Sequence, residues 1–150
     1  MSAFFAFLHH VAAFAVFATL AVELVLLTEE LSVPRARKLL RVDFAFGMAA
    51  MVLLVVGLLR VFYFEKGAAY YFHSIPFIVK LSLFAAVGLA SIYPTMQFLS
   101  WRGALKEGRA PMVAPGTLRK LRMVVHAELT GLVIIILCAA LMARGIGYVG

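Results

Sequence analysis

The fold of this chain is decided by an apolar stretch near its N-terminus, which reads AFFAFLHHVAAFAVFATLAVELVLL over residues 3–27. The hydrocarbon core of a bilayer is roughly 30 Å thick, and a helix crosses it with about 20 apolar residues. The stretch therefore predicts one membrane-spanning α-helix. Nothing basic precedes it, and it is far longer than the apolar region of about 7–15 residues in a signal peptide, so we do not expect it to be cleaved.

The rest of the chain repeats this pattern. Of its 150 residues, 65% are hydrophobic, and the mean hydropathy is +1.03. Globular domains average about 45–50% apolar residues. Further apolar runs cover approximately residues 42–64, 75–99 and 123–143. The prediction is a single all-α transmembrane domain over residues 1–150, an antiparallel four-helix bundle in which sequential helices are neighbours.

The positive charge of the chain indicates its orientation. The formal net charge is +7, and most basic residues lie in the loops between helices 1 and 2 and between helices 3 and 4. Because such residues collect on the cytoplasmic side, we expect both termini outside, which for a protein of the bacterial inner membrane is the periplasm. This distribution excludes nucleic acid as a partner. The expected partners are the lipid bilayer and either another membrane protein or a second copy of the chain.

Other residues predict local features of the bundle. Pro94 should kink the inner end of helix 3, and residues 103–116 should form a flexible loop because they contain prolines and glycines. The lone Cys138 excludes a disulfide framework and a CxxC motif. Met48 and Met51 lie one turn apart and could offer thioethers to copper(I), although filling of an apolar core explains them better. Small residues predict close helix contacts: Gly47, Ala50, Gly57, Ala86, Gly88 and Ala90.

Helix 1 carries two adjacent histidines, His9 and His10, inside its apolar run. An ionisable residue in hydrocarbon is a functional-site hypothesis by default. A helical phase of 3.6 residues per turn aligns one polar stripe, which should face the bundle interior: Ser2, His9, Ala12, Val16, Thr19 and Glu23. His10 lies about 100° away, so His9 is the better interior candidate. The alternative is that both imidazoles only form hydrogen bonds to a backbone carbonyl or a tyrosine.

Further polar residues should gather at the periplasmic end. At about 1.5 Å of rise per residue, His9 and His10 lie about 9–11 Å below the outer boundary and Lys80 about 6–8 Å below it. Arg60 and His73 lie at the boundary, together with Tyr70, Tyr71 and Glu65. Interpretations without a functional role remain open for two of these residues. His73 could be a solvated interfacial residue, and Lys80 could snorkel to the head groups or pair with Glu65.

A second polar cluster should form at the cytoplasmic end. It contains Glu23, Asp43, Arg122, His126 and Glu128. Structural pairing of Glu23 with Arg122 or His126 is the favoured interpretation, and a proton relay through Glu23 and His126 is the alternative. His126 should lie roughly 10 Å from His9 along the membrane normal, which argues against a haem clamped by these two.

The chain resembles a family of small four-helix bacterial membrane proteins catalogued as a domain of unknown function. The matching motifs are Leu8-His9-x-x-Ala12, Glu65-Lys66-Gly67-x-x-Tyr70-Tyr71-x-His73, Phe77-x-x-Lys80, Phe98-Leu99-x-Trp101-Arg102 and His126-x-Glu128. This resemblance implies fold and placement. More distantly, the chain is similar to membrane-bound, haem-containing protoporphyrinogen oxidases and to copper-resistance membrane proteins. The oxidase similarity implies His9 as a haem ligand and Lys80 as a partner for a porphyrin carboxylate.

These observations together predict a small redox protein that binds b-type haem in the outer half of the bundle. His9 would be one axial ligand, with His10 as its substitute, and His73 would be the second. Arg60 and Lys80 would anchor acidic groups. The function would be electron transfer or the oxidation of a lipophilic substrate by a haem-dependent oxidoreductase. The alternatives are a permease or copper-handling protein, and a non-catalytic accessory subunit of a membrane complex.

Overall fold

A computed structural model describes residues 2–64 and 66–149 of the chain. Within these residues, four helices are long and apolar enough to cross a membrane. The helices are α1 (Ser2–Thr28), α2 (Val33–Leu59), α3 (Ala68–Phe72), α4 (Ile75–Ser100), α5 (Arg102–Lys106) and α6 (Pro115–Ala143). A π-helical turn over Arg60–Phe64 continues α2. The all-α membrane bundle predicted from hydropathy is confirmed.

The long helices extend beyond the apolar runs because local signals set their ends. Ser32 caps α2, since its hydroxyl oxygen accepts a hydrogen bond from the Arg35 amide at 3.4 Å. Pro34 follows in the first turn, where its missing N–H costs no helical hydrogen bond. The basic residues after Pro34 therefore belong to α2 itself. Helix α4 contains Pro94 and continues through it to Ser100.

The contacts between neighbouring helices differ greatly in extent. Helix α1 packs extensively against α2, α4 packs extensively against α6, and α1 also packs against α6. Helices α2 and α4 are sequential but contact each other least among the long-helix pairs that touch. All sequential long helices are thus in contact, as predicted, and the π-helical turn and α3 connect the pair with the smallest contact.

The two ends of the bundle have different characters. We call one the termini end: it comprises the first turn of α1, the π-helical turn, α3 and residues 144–149. There the C-terminal segment pairs with the α3–α4 connection, because the Ile75 amide donates to the Gly147 carbonyl at 3.0 Å and the Val149 amide to the His73 carbonyl at 2.9 Å. The other, the basic-loop end, comprises residues 29–41 and 101–122.

The interior is a continuous apolar core. It is formed by Val16, Leu20, Leu27, Ala36, Leu39, Phe46, Val87, Phe98, Trp101, Leu105, Leu121, Val125 and Leu132. Of the six small residues expected at helix contacts, Gly57 lies against a neighbouring helix, whereas Gly47 and Gly88 have open space where a side chain would start. Met48 and Met51 are 53% and 59% exposed. The interpretation of these methionines as core filler is therefore wrong.

The predicted flexible loop over residues 103–116 is shorter than expected. Helix α5 takes its first part, and α6 begins at Pro115. Proline suits the first turn of a helix, because the amide that it lacks has no helical partner there. The irregular connection is thus confined to residues 107–114.

Candidate functional site

A layer of polar side chains crosses the bundle interior. Each long helix contributes one member: Glu23 from α1, Asp43 from α2, Thr95 from α4 and Glu128 from α6. Glu23 is 1% exposed, Glu128 2% and Asp43 7%. We call this set the carboxyl layer. Acidic side chains are almost never so buried without a partner.

The hydrogen bonding of the carboxyl layer is incomplete. The Thr95 hydroxyl donates to Asp43 Oδ1 at 2.7 Å and links α4 to α2. By contrast, both carboxyl oxygens of Glu128 and Oε1 of Glu23 are buried without a hydrogen-bond partner in the described part of the chain. An unsatisfied buried polar atom costs about 1–3 kcal/mol, and more if it is charged. Glu128 therefore has unused bonding capacity inside the protein.

The carboxyls lie close enough to interact electrostatically. Glu23 is within range of the charges of Asp43 and Glu128, and Glu128 is within range of Asp43. Among residues 2–64 and 66–149, Arg35 pairs with Glu29 and Arg109 with Glu107, and no basic side chain pairs with the layer. Any negative charge in the layer must be balanced by bound protons or by a cation.

Apolar residues close the layer on both sides. One turn away along α1 lie Leu20 and Leu27, both at most 2% exposed. Buried side chains flank the other two acids in the same way: Leu39 and Phe46 on α2, Val125 and Leu132 on α6. The layer is therefore occluded from both ends of the bundle.

The expected ion pair of Glu23 with Arg122 or His126 is wrong. The interior face of α6 carries Leu121, Val125 and Glu128, whereas His126 is exposed and Arg122 is half-buried. Arg119, Arg122 and His126 follow one another at spacings of three and four residues, and they define a different face of α6 from the one that enters the bundle. Glu23, Asp43 and Glu128 do come together, as predicted, but without basic partners.

Sequence reasoning did not identify Thr95. A threonine in an apolar helix commonly forms a hydrogen bond to its own backbone, as Thr19 does to the Ala15 carbonyl at 2.8 Å. The available signal was its position directly after Pro94, where the helix lacks one N–H donor and polar groups gain importance.

His9 takes the interior position that the phase of α1 predicts. Ala12 and Val16 of the same stripe are buried, and His9 and Thr19 are half-buried; the side chain of Ser2 lies outside the description. The His9 ring lies against Gly57 of α2, where a Cβ would come within 3.3 Å of its Cε1. Gly57 therefore makes room for an imidazole between two helices.

His10 and His73 are exposed and share one arrangement. Nδ1 of His10 lies 2.6 Å from the Ala6 carbonyl, and Nδ1 of His73 lies 2.6 Å from the Ala69 carbonyl. Since a carbonyl oxygen only accepts, Nδ1 carries the proton in both rings, and Nε2 of a neutral ring keeps its lone pair. The backbone hydrogen bond of His10 matches its structural interpretation, the exposure of His73 matches its interpretation as a solvated interfacial residue, and each ring keeps one nitrogen available.

Arg60 and Lys80 are half-buried at the termini end. Arg60 begins the π-helical turn. Lys80 Nζ lies 5.4 Å from the centre of the Phe77 ring, a cation–π contact. Its expected partner Glu65 lies outside the described residues.

The histidines do not form an axial pair on helix α1. The ring centres of His9 and His10 are 6.2 Å apart and the rings are perpendicular, so adjacent residues of one helix cannot bind opposite faces of the same iron. Within the described residues, no group of three His, Cys, Asp or Glu side chains is disposed to hold a metal ion. Haem ligation by His9, His10 or His73 stays a prediction.

Comparison with known proteins identifies the family of the chain. A family model described as "Predicted membrane protein (DUF2214)" matches residues 1–147. Neither the comparison with curated proteins nor that with solved structures gave a match.

Proposed function

The chain belongs to the DUF2214 family of membrane proteins. For this membrane protein we propose the function of a small permease that moves protons through its carboxyl layer. The observation that carries the proposal is Glu128. It is 2% exposed, and neither of its carboxyl oxygens has a hydrogen-bond partner among the described residues.

The physical argument starts from the energy of buried charge. Ionisable side chains in a membrane are costly, and where they persist they commonly lie on ion pathways and proton relays. A purely structural carboxyl would be paired with a basic group, and the layer has no such pair among the described residues. Protons are the simplest ligands that balance the charge of Glu23, Asp43 and Glu128. They also bind reversibly, as transport requires.

The arrangement of the helices supports a route to the layer. Among the long-helix pairs that touch, α2 and α4 have the smallest contact, and the Asp43–Thr95 hydrogen bond joins them inside the layer. Beside Thr95, Pro94 cannot donate a hydrogen bond to the Ala90 carbonyl, which weakens α4 at that point. Helix α4 is continuous through Pro94, and the missing hydrogen bond marks a point at which it can bend. We infer that separation of α2 from α4 opens the occluded layer.

For orientation, we propose that the basic-loop end faces the cytoplasm of a bacterial inner membrane. Its support is the excess of Lys and Arg in residues 29–41 and 101–122 over the termini end. Protons driven inward would then enter from the termini end and leave at the basic-loop end.

The test is proton flux in liposomes that contain the purified protein. A potassium diffusion potential, set by valinomycin, drives protons inward, and a pH-sensitive dye in the lumen reports their arrival. Wild-type protein should acidify the lumen faster than protein-free liposomes. Glu128→Gln keeps the shape of the side chain but cannot exchange a proton, so it should return the rate to that of protein-free liposomes.

Glu107→Gln is the matched control. Glu107 is an exposed carboxylate that pairs with Arg109 outside the layer, so its replacement should leave the flux unchanged. The proposal fails if wild-type protein adds no flux, or if Glu128→Gln conducts as fast as the wild type.

The second candidate function is haem-dependent redox chemistry at the termini end. It is favoured by the available Nε2 atoms of His10 and His73. A bound haem would supply the redox chemistry, and this chain would supply an imidazole ligand and the cations Arg60 and Lys80. Protein purified from haem-sufficient cells should then show a Soret band that His9→Ala or His10→Ala removes. A folded, colourless protein would eliminate this candidate.

A further inference from the structure

A groove at the basic-loop end combines positive charge with an apolar lining. It has a volume of about 390 Å³ and lies between α2 and α5, lined by Arg37, Leu40, Arg102, Leu105 and Lys106. Nη2 of Arg37 donates to the Leu105 carbonyl at 3.2 Å and holds the two helices together. Arg102 and Lys106 are four residues apart and thus share one face of α5.

The three cations of this groove are not neutralised by the protein. In the described part of the chain, two of the three acidic residues near this end pair with other cations, Glu29 with Arg35 and Glu107 with Arg109, and the exposed Glu30 forms no ion pair and does not line the groove. Arg37, Arg102 and Lys106 form no ion pair there. Three converging, unpaired cations attract an anion, and guanidinium groups bind phosphate with directional hydrogen bonds.

The lining identifies the kind of anion. We propose that this groove binds the phosphate group of an anionic phospholipid. Leu40 and Leu105 give the groove an apolar wall beside its cations. This wall suits the glycerol and acyl portions of a lipid, whereas a free phosphate ion has no apolar part to contact it. Basic pockets between transmembrane helices bind anionic head groups in this way. The proposal is independent of proton movement through the carboxyl layer.

The test is a binding titration of the detergent-solubilised full chain, read by native mass spectrometry. Phosphatidylglycerol is the probe, phosphatidylcholine tests the need for net negative charge, and inorganic phosphate tests the need for the lipid. Phosphatidylglycerol should bind most tightly. Arg102→Gln and Lys106→Gln, both at exposed positions, should each raise its Kd roughly fivefold.

Arg119→Gln is the control, because Arg119 is an exposed cation of the same end that does not line the groove. Its Kd should match the wild type. The proposal is overturned if Arg119→Gln weakens binding as much as Arg102→Gln, if neither groove variant changes the Kd, or if phosphatidylcholine binds equally well. Equal competition by inorganic phosphate would show that a free anion occupies the site instead of a lipid.

Discussion

Glu128 and His9 show how two polar residues on the interior faces of one bundle differ in what surrounds them. Glu128 lies among carboxyls and apolar side chains, and its oxygens have no hydrogen-bond partner in the described residues. His9 occupies a space that a specific neighbour provides, since Gly57 lets its ring enter between α1 and α2. The first arrangement leaves bonding capacity for a ligand, whereas the second positions a side chain by shape.

The fit of His9 against Gly57 gives a prediction at the residue scale. Gly57→Leu should push the imidazole out of its position and lower the free energy of unfolding by about 1–3 kcal/mol, the usual cost of overpacking. Thermal unfolding of the detergent-solubilised protein measures this loss. Gly47→Leu on the same helix is the control, because a Cβ added at Gly47 would meet no atom within 4 Å. Equal stability of both variants would contradict the described packing of His9.

At the scale of the elements, the rotation of each helix was the hardest property to predict. The stripe of α1 was predictable because His9, Thr19 and Glu23 are rare polar residues on an apolar helix, and their common face does enter the bundle. In α6 the same reasoning failed. Its basic residues near the membrane boundary suggested one face, whereas Glu128 with Leu121 and Val125 defines the interior face.

The physical reason is that lipid and protein interior are both apolar. In a soluble helix the polar face marks the solvent side, but a helix that is apolar all round carries no such mark. Small residues then mislead as well, because Gly47 and Gly88 at the surface look the same in sequence as Gly57 at a contact. Span number and length, which depend on total hydropathy alone, were predictable.

The Asp43–Thr95 hydrogen bond gives a prediction at the element scale. Thr95→Val removes the donor, keeps the shape, and should lower the free energy of unfolding by about 1 kcal/mol. Because α2 and α4 then lose their link in the carboxyl layer, proton flux in liposomes should rise. Thr130→Val is the control, since the exposed Thr130 only donates to its own helix, at the His126 carbonyl. Unchanged flux in Thr95→Val would contradict opening between α2 and α4.

At the scale of the whole molecule, the bundle is a stack of different layers. The termini end carries aromatic and histidine side chains, including the stacked rings of Tyr70 and Tyr148, whose centres are 4.7 Å apart. Below it lies an apolar core, interrupted by the carboxyl layer. The basic-loop end carries most of the positive charge. An asymmetric stack of this kind favours one orientation in the membrane.

The orientation of the bundle in the membrane is a prediction at this scale: the termini end should face outward and the basic-loop end should face the cytoplasm. In a Cys138→Ser background, a cysteine introduced at exposed Lys66 should react with a membrane-impermeant maleimide added to intact spheroplasts. A cysteine introduced at exposed Glu107 should react only after the membrane is permeabilised. The reverse labelling pattern would place the basic-loop end outside and contradict the proposed orientation.

The central claim is that the carboxyl layer exchanges protons. Infrared difference spectra of the reconstituted protein after a pH jump measure this most directly, because the C=O stretch of a protonated carboxyl is separate from that of a carboxylate. We expect a carboxylic-acid band that responds to the jump in the wild type and in Glu107→Gln, and that loses the contribution of Glu128 in Glu128→Gln. A spectrum without a responsive band, or a band of undiminished intensity in Glu128→Gln, would contradict the account.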